Sequence, residues 1–299
     1  MKRLKQDLIE KFKPFNCNHN DELNNNQFSF EKFPHCDLNL NEKSLLKCSW
    51  LMLVFHLNNQ FYVLLTIRSF KLKSYPGELC FPGGKFDPIL DKTFTDTAFR
   101  EANEEIGLDR KNVTTICKLC PFISPIGHYI CPVIGLLTKD QTDDYLDKDE
   151  EILELLNSLK PNDEVESIFW LPFSYFLNEE RLSQRVNLFD LPIKLDDTLK
   201  HLDIISKKYF RFIIHLEDEL FEKNGINPLN NILYGINAGI LLFVVKTILG
   251  DNFNLNQLFR DDYYENFEIY EYLKHLRLKG YLMYRDNLIR KEKKLKAKL

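Results

Sequence analysis

Phe81-Pro82-Gly83-Gly84 and, after a polar loop, Thr95-Asp96-Thr97-Ala98-Phe99-Arg100-Glu101-Ala102-Asn103-Glu104-Glu105-Ile106-Gly107-Leu108 decide the fold. The first segment ends an apolar strand in a turn whose two glycines can take positive φ. The second reads as a helix, with Thr95 as the expected N-cap and Gly107 as the expected stop. Glu101, Glu104 and Glu105 stand at i, i+3 and i+4, so their carboxylates emerge on one face within about one turn. Ala98, Phe99, Ala102 and Ile106 supply an apolar face for packing on a sheet. Three like charges on so short a face repel one another. A divalent cation would neutralise them, and hard carboxylate oxygens suit Mg²⁺ or Mn²⁺; a solvated acidic face is the alternative.

Working outward, Ser49–Phe55 and Phe61–Ile67 are runs rich in Val, Leu, Phe and Tyr around Leu57-Asn58-Asn59-Gln60, a strand, turn, strand pattern. Val113–Cys120, Tyr129–Leu137 and Ser167–Pro172 read as further strands, as does Tyr209–His215. Leu4, Leu8, Ile9 and Phe12 have helical spacing, and an Asn-rich linker follows from Asn16 to Gln27. The acidic run Asp140–Glu151 reads as a surface insertion leading into a short helix through Leu159. A hydrophobic helix is expected from about Leu233, and a helical, basic-tailed pattern after Gly250. Strands mixed with helices indicate an α/β domain with helical additions.

The chain has 299 residues, 44% of them hydrophobic, and a formal net charge of −4. That supports a sizeable core, and no global basic field points to nucleic acid. No stretch reads as long enough for a membrane span, and charge continues where a secretory signal would turn apolar. Seven scattered cysteines do not suggest a disulfide framework. Cys117, Cys120, His128 and Cys131 could in principle bind zinc. Strand geometry opposes this, because residues i and i+3 point to opposite faces, and free thiols are the expectation.

As a whole string, Gly84 with Arg100-Glu101-Ala102-Asn103-Glu104-Glu105-Ile106-Gly107-Leu108 resembles the box of the Nudix hydrolases, Gly-x5-Glu-x7-Arg-Glu-U-x-Glu-Glu-x-Gly-U (U apolar). By that resemblance Glu101, Glu104 and Glu105 are metal ligands and Arg100 orients a glutamate by ion pairing. The first half departs from the pattern. Gly84 and Arg100 are sixteen apart where the box has fourteen, and the position eight before Arg100, a Glu in the box, is Lys92. Asp91 or Asp87 could replace the missing carboxylate.

Upstream, Leu64-Leu65-Thr66-Ile67-Arg68-Ser69, Leu72 and Pro76-Gly77-Glu78-Leu79-Cys80-Phe81-Pro82-Gly83-Gly84 resemble the signature of the coenzyme A diphosphatase branch. Fainter likeness over Ser124–Gly135, Glu164–Pro172 and Tyr234–Leu242 extends the resemblance over roughly residues 44–250. It implies a Nudix fold, an α/β/α sandwich around a mixed β-sheet with a helical C-terminal extension. The expected organisation is an N-terminal helix and linker (1–43), the Nudix domain (44–250) and a helical extension with a basic tail (251–299). The implied reaction is hydrolysis of coenzyme A or acyl-coenzyme A to 3′,5′-ADP and (acyl-)4′-phosphopantetheine with Mg²⁺ or Mn²⁺. Glu164 is the candidate helper carboxylate, and Arg68, Ser69, Gly83, Gly84 and Lys85 are the candidate substrate-binding residues. Lys71 and Lys73 add positive charge beside Arg68, suited to phosphate oxygens, while His128 and Tyr129 stand on a turn that could line the pocket. The competing readings are a Nudix pyrophosphatase of NADH or ADP-ribose, and a non-catalytic nucleotide-binding relative. Ala297-Lys298-Leu299 resembles a Ser-Lys-Leu peroxisomal address, so a peroxisomal import receptor is the expected partner and the peroxisome the expected location.

Overall fold

The computed structural model describes residues 2–16, 45–124, 126–138, 149–177, 187–189, 209–211, 213–215 and 232–253. Helix α1 (Lys2–Phe12) is followed by β1 (Leu46–Leu57), β2 (Gln60–Arg68), β3 (Leu79–Cys80), β4 (Gly83–Lys85), α2 (Phe94–Ile106), β5 (Val113–Lys118), β6 (Phe122–Ile123), β7 (His128–Leu137), α3 (Asp149–Ser158) and β8 (Val165–Pro172). Short strands β9 (Asn187–Phe189), β10 (Tyr209–Arg211), β11 (Ile213–His215) and β12 (Ile232–Tyr234) precede α4 (Gly235–Leu249).

β1 to β8 form one mixed sheet in which β1 pairs parallel with β7 and antiparallel with β2. Asn58 and Asn59 both have positive φ, which gives the two-residue hairpin its twist. β1 and β2 pair only near this hairpin, from Val54↔Val63 to Leu57↔Gln60. Beyond it they diverge, and β3 and β4 fill the fork: β3 pairs with β2, and β4 with β1. The fork is the structural basis of the site, because it sets Gly83 and Gly84, extended residues of β4 and not the positive-φ turn the sequence suggested, inside the sheet beside β1.

The sheet is covered on both faces, so its strands are apolar in unbroken runs rather than alternating. Leu51, Leu53, Phe55, Leu64 and Val133 meet α2 and α3 on one face. Trp50, Met52, Val54, Val63 and Leu65 meet α1 and α4 on the other. This is an α/β/α sandwich with a mixed sheet. α1 joins the same core: Phe12 is fully buried, Phe15 stacks edge-on against Phe243 at 4.9 Å, and Lys11 Nζ donates to Ile248 O at 2.7 Å. Burying a Phe of this kind stabilises by about 1.5–3 kcal/mol.

Several sequence expectations shift in detail. The α2 N-cap is Thr93, not Thr95: Thr93 Oγ1 accepts from Asp96 N, and Asp96 Oδ2 accepts from Thr93 N, a reciprocal capping box. Gly107 ends the helix in the left-handed conformation, as expected (φ 70°). The hydrophobic helix starts at Gly235, with Leu233 in β12. Tyr209–His215 holds two short strands with separate partners. By length and composition Gly235–Asn252 could cross a membrane, contrary to the sequence expectation. Here Ala238–Val245 are buried against the sheet, as in a core helix. The buried Cys117 and Cys131 thiols donate to Phe12 O and Leu119 O. Most of the Asn-rich linker, most of the acidic insertion and the chain after residue 253, with the expected C-terminal extension and address, lie outside the described residues.

Candidate active site

α2 carries three carboxylates in graded environments. Glu104 is exposed, Glu101 is half-buried, and Glu105 is only 5% exposed. The Gly83 N–H in the fork donates to Glu105 Oε2 at 2.9 Å. Burial pushes the Glu105 carboxyl up to about 7, against the Gly83 hydrogen bond and the positive charge of Arg68; Glu101 and Glu164 push the same way as burial. Glu101 is likewise raised, by burial first and by Glu104 and Glu164, in spite of Arg100. The fold thus sets Glu101 and Glu105 in a partly desolvated place, where each of these two prefers a proton or a cation.

Arg100 organises them. Its Nε donates to Asp91 Oδ1 and its Nη2 to Asp91 Oδ2, both at 2.9 Å. Nη2 also donates to Lys85 O at 2.9 Å, and Nη1 reaches Glu101 Oε1 at 3.0 Å and both Glu104 oxygens at 3.3 Å. A guanidinium has five N–H donors, and these partners engage all five. Arg100 is therefore an internal bridge that orients Glu101 and Glu104, with no donor left over for a substrate phosphate.

Of the two carboxylates open in the sequence reading, Asp91 reaches Arg100. Asp87 instead folds the loop: its Oδ1 accepts from Ile89 N at 2.7 Å and Leu90 N at 3.3 Å. Asp91 also accepts from Asp87 N and Thr97 Oγ1, both at 2.9 Å. Burial would raise its pKa, but Arg100 and these hydrogen bonds outweigh burial and hold it below the usual carboxylate value.

The glycines serve by lacking side chains. A Cβ on Gly84 would stand 2.5 Å from the Glu101 carboxyl carbon, and one on Gly83 would stand 2.2 Å from Trp50 Cβ. Gly84 gives Glu101 its space, and Gly83 lets β4 lie against β1.

Arg68 and Glu164 arrive from the other side of the fork. A register shift at Ile67/Arg68 sets Arg68 opposite Val165, and Ser69 N donates to Glu164 O at 2.8 Å. Arg68 is half-buried, with one donor directed to Ser74 O at 3.4 Å. Ser69 is buried, and its Oγ accepts from Lys71 N at 3.4 Å, so its hydroxyl shapes the turn. Lys85 is exposed at the end of β4. Burial, then the charge of Lys85, lowers the pKa of His128. That neighbour relation was not legible in the sequence, since it comes from Lys85 pairing with Cys48 and His128 with Leu46 on the same strand. Tyr129 is buried against Phe94 at 5.7 Å.

The donors fit a divalent cation chemically, being hard carboxylate oxygens that burial and mutual repulsion leave wanting positive charge. Among the described residues no three His, Cys, Asp or Glu side chains are grouped so as to hold a metal ion. Glu101 and Glu104 are held on Arg100 and Glu105 on Gly83 N–H.

Residues 49–189 match the NUDIX domain. The mouse protein named peroxisomal coenzyme A diphosphatase NUDT7 is 38% identical over 125 residues, 42% of this chain and 46% of that protein. The Caenorhabditis elegans peroxisomal coenzyme A diphosphatase ndx-8 is 36% identical over 118 residues, 39% of this chain and 44% of that one. This chain thus spans under half the length of these curated relatives. A Nudix hydrolase from M. smegmatis, RenU, aligns at a TM-score of 0.32 and 19% identity, over 43% of this chain and 71% of that one. The NUDIX domain of Shewanella oneidensis NrtR, complexed with ADP ribose, aligns at a TM-score of 0.32 and 17% identity, over 50% and 87%. The domain match includes the fork, Gly83 and Gly84 of β4 and the glutamate helix, so residues 49–189 carry a NUDIX domain.

Proposed function

We propose that this chain hydrolyses the diphosphate of coenzyme A or acyl-coenzyme A, giving 3′,5′-ADP and (acyl-)4′-phosphopantetheine. The hydrolytic reading is supported by the charges that act on Glu101 and Glu105 at the fork: Glu164 pushes both carboxyls up, Glu104 pushes Glu101 up, and Arg68 pulls Glu105 down. The substrate class is supported by the stretch from Leu64 to Gly84, which builds this fork, and by the names of the two relatives above.

In this reading Glu101, Glu104 and Glu105 would hold Mg²⁺ or Mn²⁺, which would neutralise charge on the diphosphate and acidify a water. Arg100 keeps Glu101 and Glu104 in place, and Gly83 N–H fixes Glu105 by one oxygen. Arg68 and Lys85, on opposite arms of the fork, supply positive charge for the phosphates, and Ser69 with Gly83 and Gly84 of β4 shapes the floor. Water's oxygen joins one phosphorus as the bridging P–O bond breaks, and Glu164 takes the proton. The peroxisome, and import through Ala297, Lys298 and Leu299, belong to the same proposal, supported by two relatives named peroxisomal. Co-localisation of a tagged chain with and without Leu299 tests that part.

The test of the activity is turnover of coenzyme A, NADH and ADP-ribose by the wild type, Glu105→Gln and Glu164→Gln. Coenzyme A should be cut by the wild type, with loss in both variants. Cleavage of NADH or ADP-ribose but not coenzyme A, or full activity in Glu105→Gln, contradicts the reading.

A further inference from the structure

The stretched loop between Gly84 and α2 breaks the box on paper, since Lys92 stands where the pattern has its first glutamate. In the fold, the residue beside it takes the carboxylate's place. Asp91 has a side chain 1% exposed and forms a two-point ion pair with Arg100, the geometry in which a guanidinium and a carboxylate match best. Thr97 Oγ1 and Asp87 N complete its hydrogen bonds, so a charge removed from water is fully matched. The added residues form the exposed tip, Ile89 and Leu90, and Asp87 ties the tip's backbone down.

We propose that Asp91 is the positioning residue for the metal face of α2: it locks two of Arg100's donors, so that Nη1 is held where it contacts both Glu101 and Glu104. The longer loop thus restores the box in a shifted register. Arg100 already pairs with Glu101 and Glu104 through Nη1 alone; without Asp91 its Nε and Nη2 would be released to turn toward the same carboxylates and compete further with a cation for their oxygens. Asp91 touches neither substrate nor cation; it acts through Arg100. This inference rests on the metal-dependent reading above.

The test is Mn²⁺ titration of the full chain followed by electron paramagnetic resonance, beside turnover at limiting and saturating Mn²⁺. Supporting partners of metal ligands typically change affinity 10- to 100-fold. Asp91→Asn should weaken Mn²⁺ binding by about that factor, with turnover recovering to within about threefold at saturating Mn²⁺. Asp91→Glu should lie closer to wild type, because it keeps the charge. Asp87→Asn should stay within about twofold of wild type, since it does not reach Arg100. Adding Lys92→Glu to Asp91→Asn should not restore affinity. Should Asp91→Asn fail to fold, Thr97→Val removes one hydrogen bond from the intact carboxylate and should weaken Mn²⁺ binding in the same direction. Wild-type Mn²⁺ affinity in Asp91→Asn (or in Thr97→Val where that variant stands in for it), an equal loss in Asp87→Asn, or rescue by Lys92→Glu would overturn the proposal. A wild-type chain that binds no Mn²⁺ would sink the metal-dependent reading and this proposal with it, whereas equal affinity in wild type and Asp91→Asn overturns this one alone.

Discussion

Gly83 N–H donates to Glu105 Oε2 at 2.9 Å, linking the start of β4 to the last turn of α2. The bond holds a carboxylate in a place that burial makes costly for its charge, and it offsets only part of that cost. In the proposed reading this is where Glu105 receives a cation. Replacing it with Gln keeps a hydrogen-bond acceptor for Gly83 and removes the charge. Turnover should fall at least about 100-fold, because even outer partners of metal ligands cost 10- to 100-fold. The melting temperature without metal should stay level or rise. Steady-state kinetics and thermal unfolding on the same preparations check both halves.

Stability of the metal-free chain should depend on pH through the same residue. The Glu105 carboxyl is near 4.5 ordinarily and about 7 in the fold, so the folded state binds the proton more tightly. The contribution is fully present below pH 4.5 and is lost as pH rises through 7. A shift of this size corresponds to about 3 kcal/mol. Urea unfolding between pH 4.5 and 8 should show the decline, and Mn²⁺ should reduce it by supplying the missing charge. A Glu105→Gln chain should lack this component.

The two glycines of β4 should fail in different ways. In Gly84→Ala the new Cβ meets the mobile end of Glu101 at 2.5 Å, so the fold survives and the carboxylate moves. A displacement of about 1 Å at a catalytic group can cost 100-fold, and activity should drop on that scale at near-normal stability. In Gly83→Ala the Cβ meets Trp50 Cα at 2.4 Å and Ser49 O at 2.5 Å, which cannot yield without moving β1. Overpacking of this kind costs about 1–3 kcal/mol or more, so thermal unfolding should separate the two variants.

Arg68 should act on binding. Arg68→Ala removes a charged hydrogen-bond donor worth about 1.5–3 kcal/mol, so KM should rise roughly 10- to 100-fold with a smaller change in kcat. Arg68→Lys should recover part of the loss, being charged but unable to form a fork. Arg68 also lowers the Glu105 pKa, so the alanine variant should move the pH-dependent loss of stability to higher pH.

Much of this was legible in the sequence because α2 is short and strongly periodic: the three glutamates and the apolar face follow from spacing alone. The hairpin at Asn58-Asn59 was legible for the same local reason. The true N-cap was also within reach, since Thr93 has an acid three residues on and Thr95 does not. The fork was less so, because β3 and β4 are two and three residues long and exist only by pairing with diverging neighbours. Asp91 was undecidable from register, as choosing it over Asp87 required knowing how the loop folds back on Arg100. Glu164 comes to lie beside Ser69 through a sheet irregularity between distant strands, and α1 joins the core by packing on α4; neither leaves a local trace.

The central claim is tested most directly by incubating the purified full chain with coenzyme A and Mg²⁺ or Mn²⁺ and identifying the products by mass spectrometry. The account predicts 3′,5′-ADP and 4′-phosphopantetheine in equal amounts, dependent on the cation and lost in Glu105→Gln. Intact coenzyme A beside cleaved NADH or ADP-ribose, or the same products without a divalent cation, would contradict it.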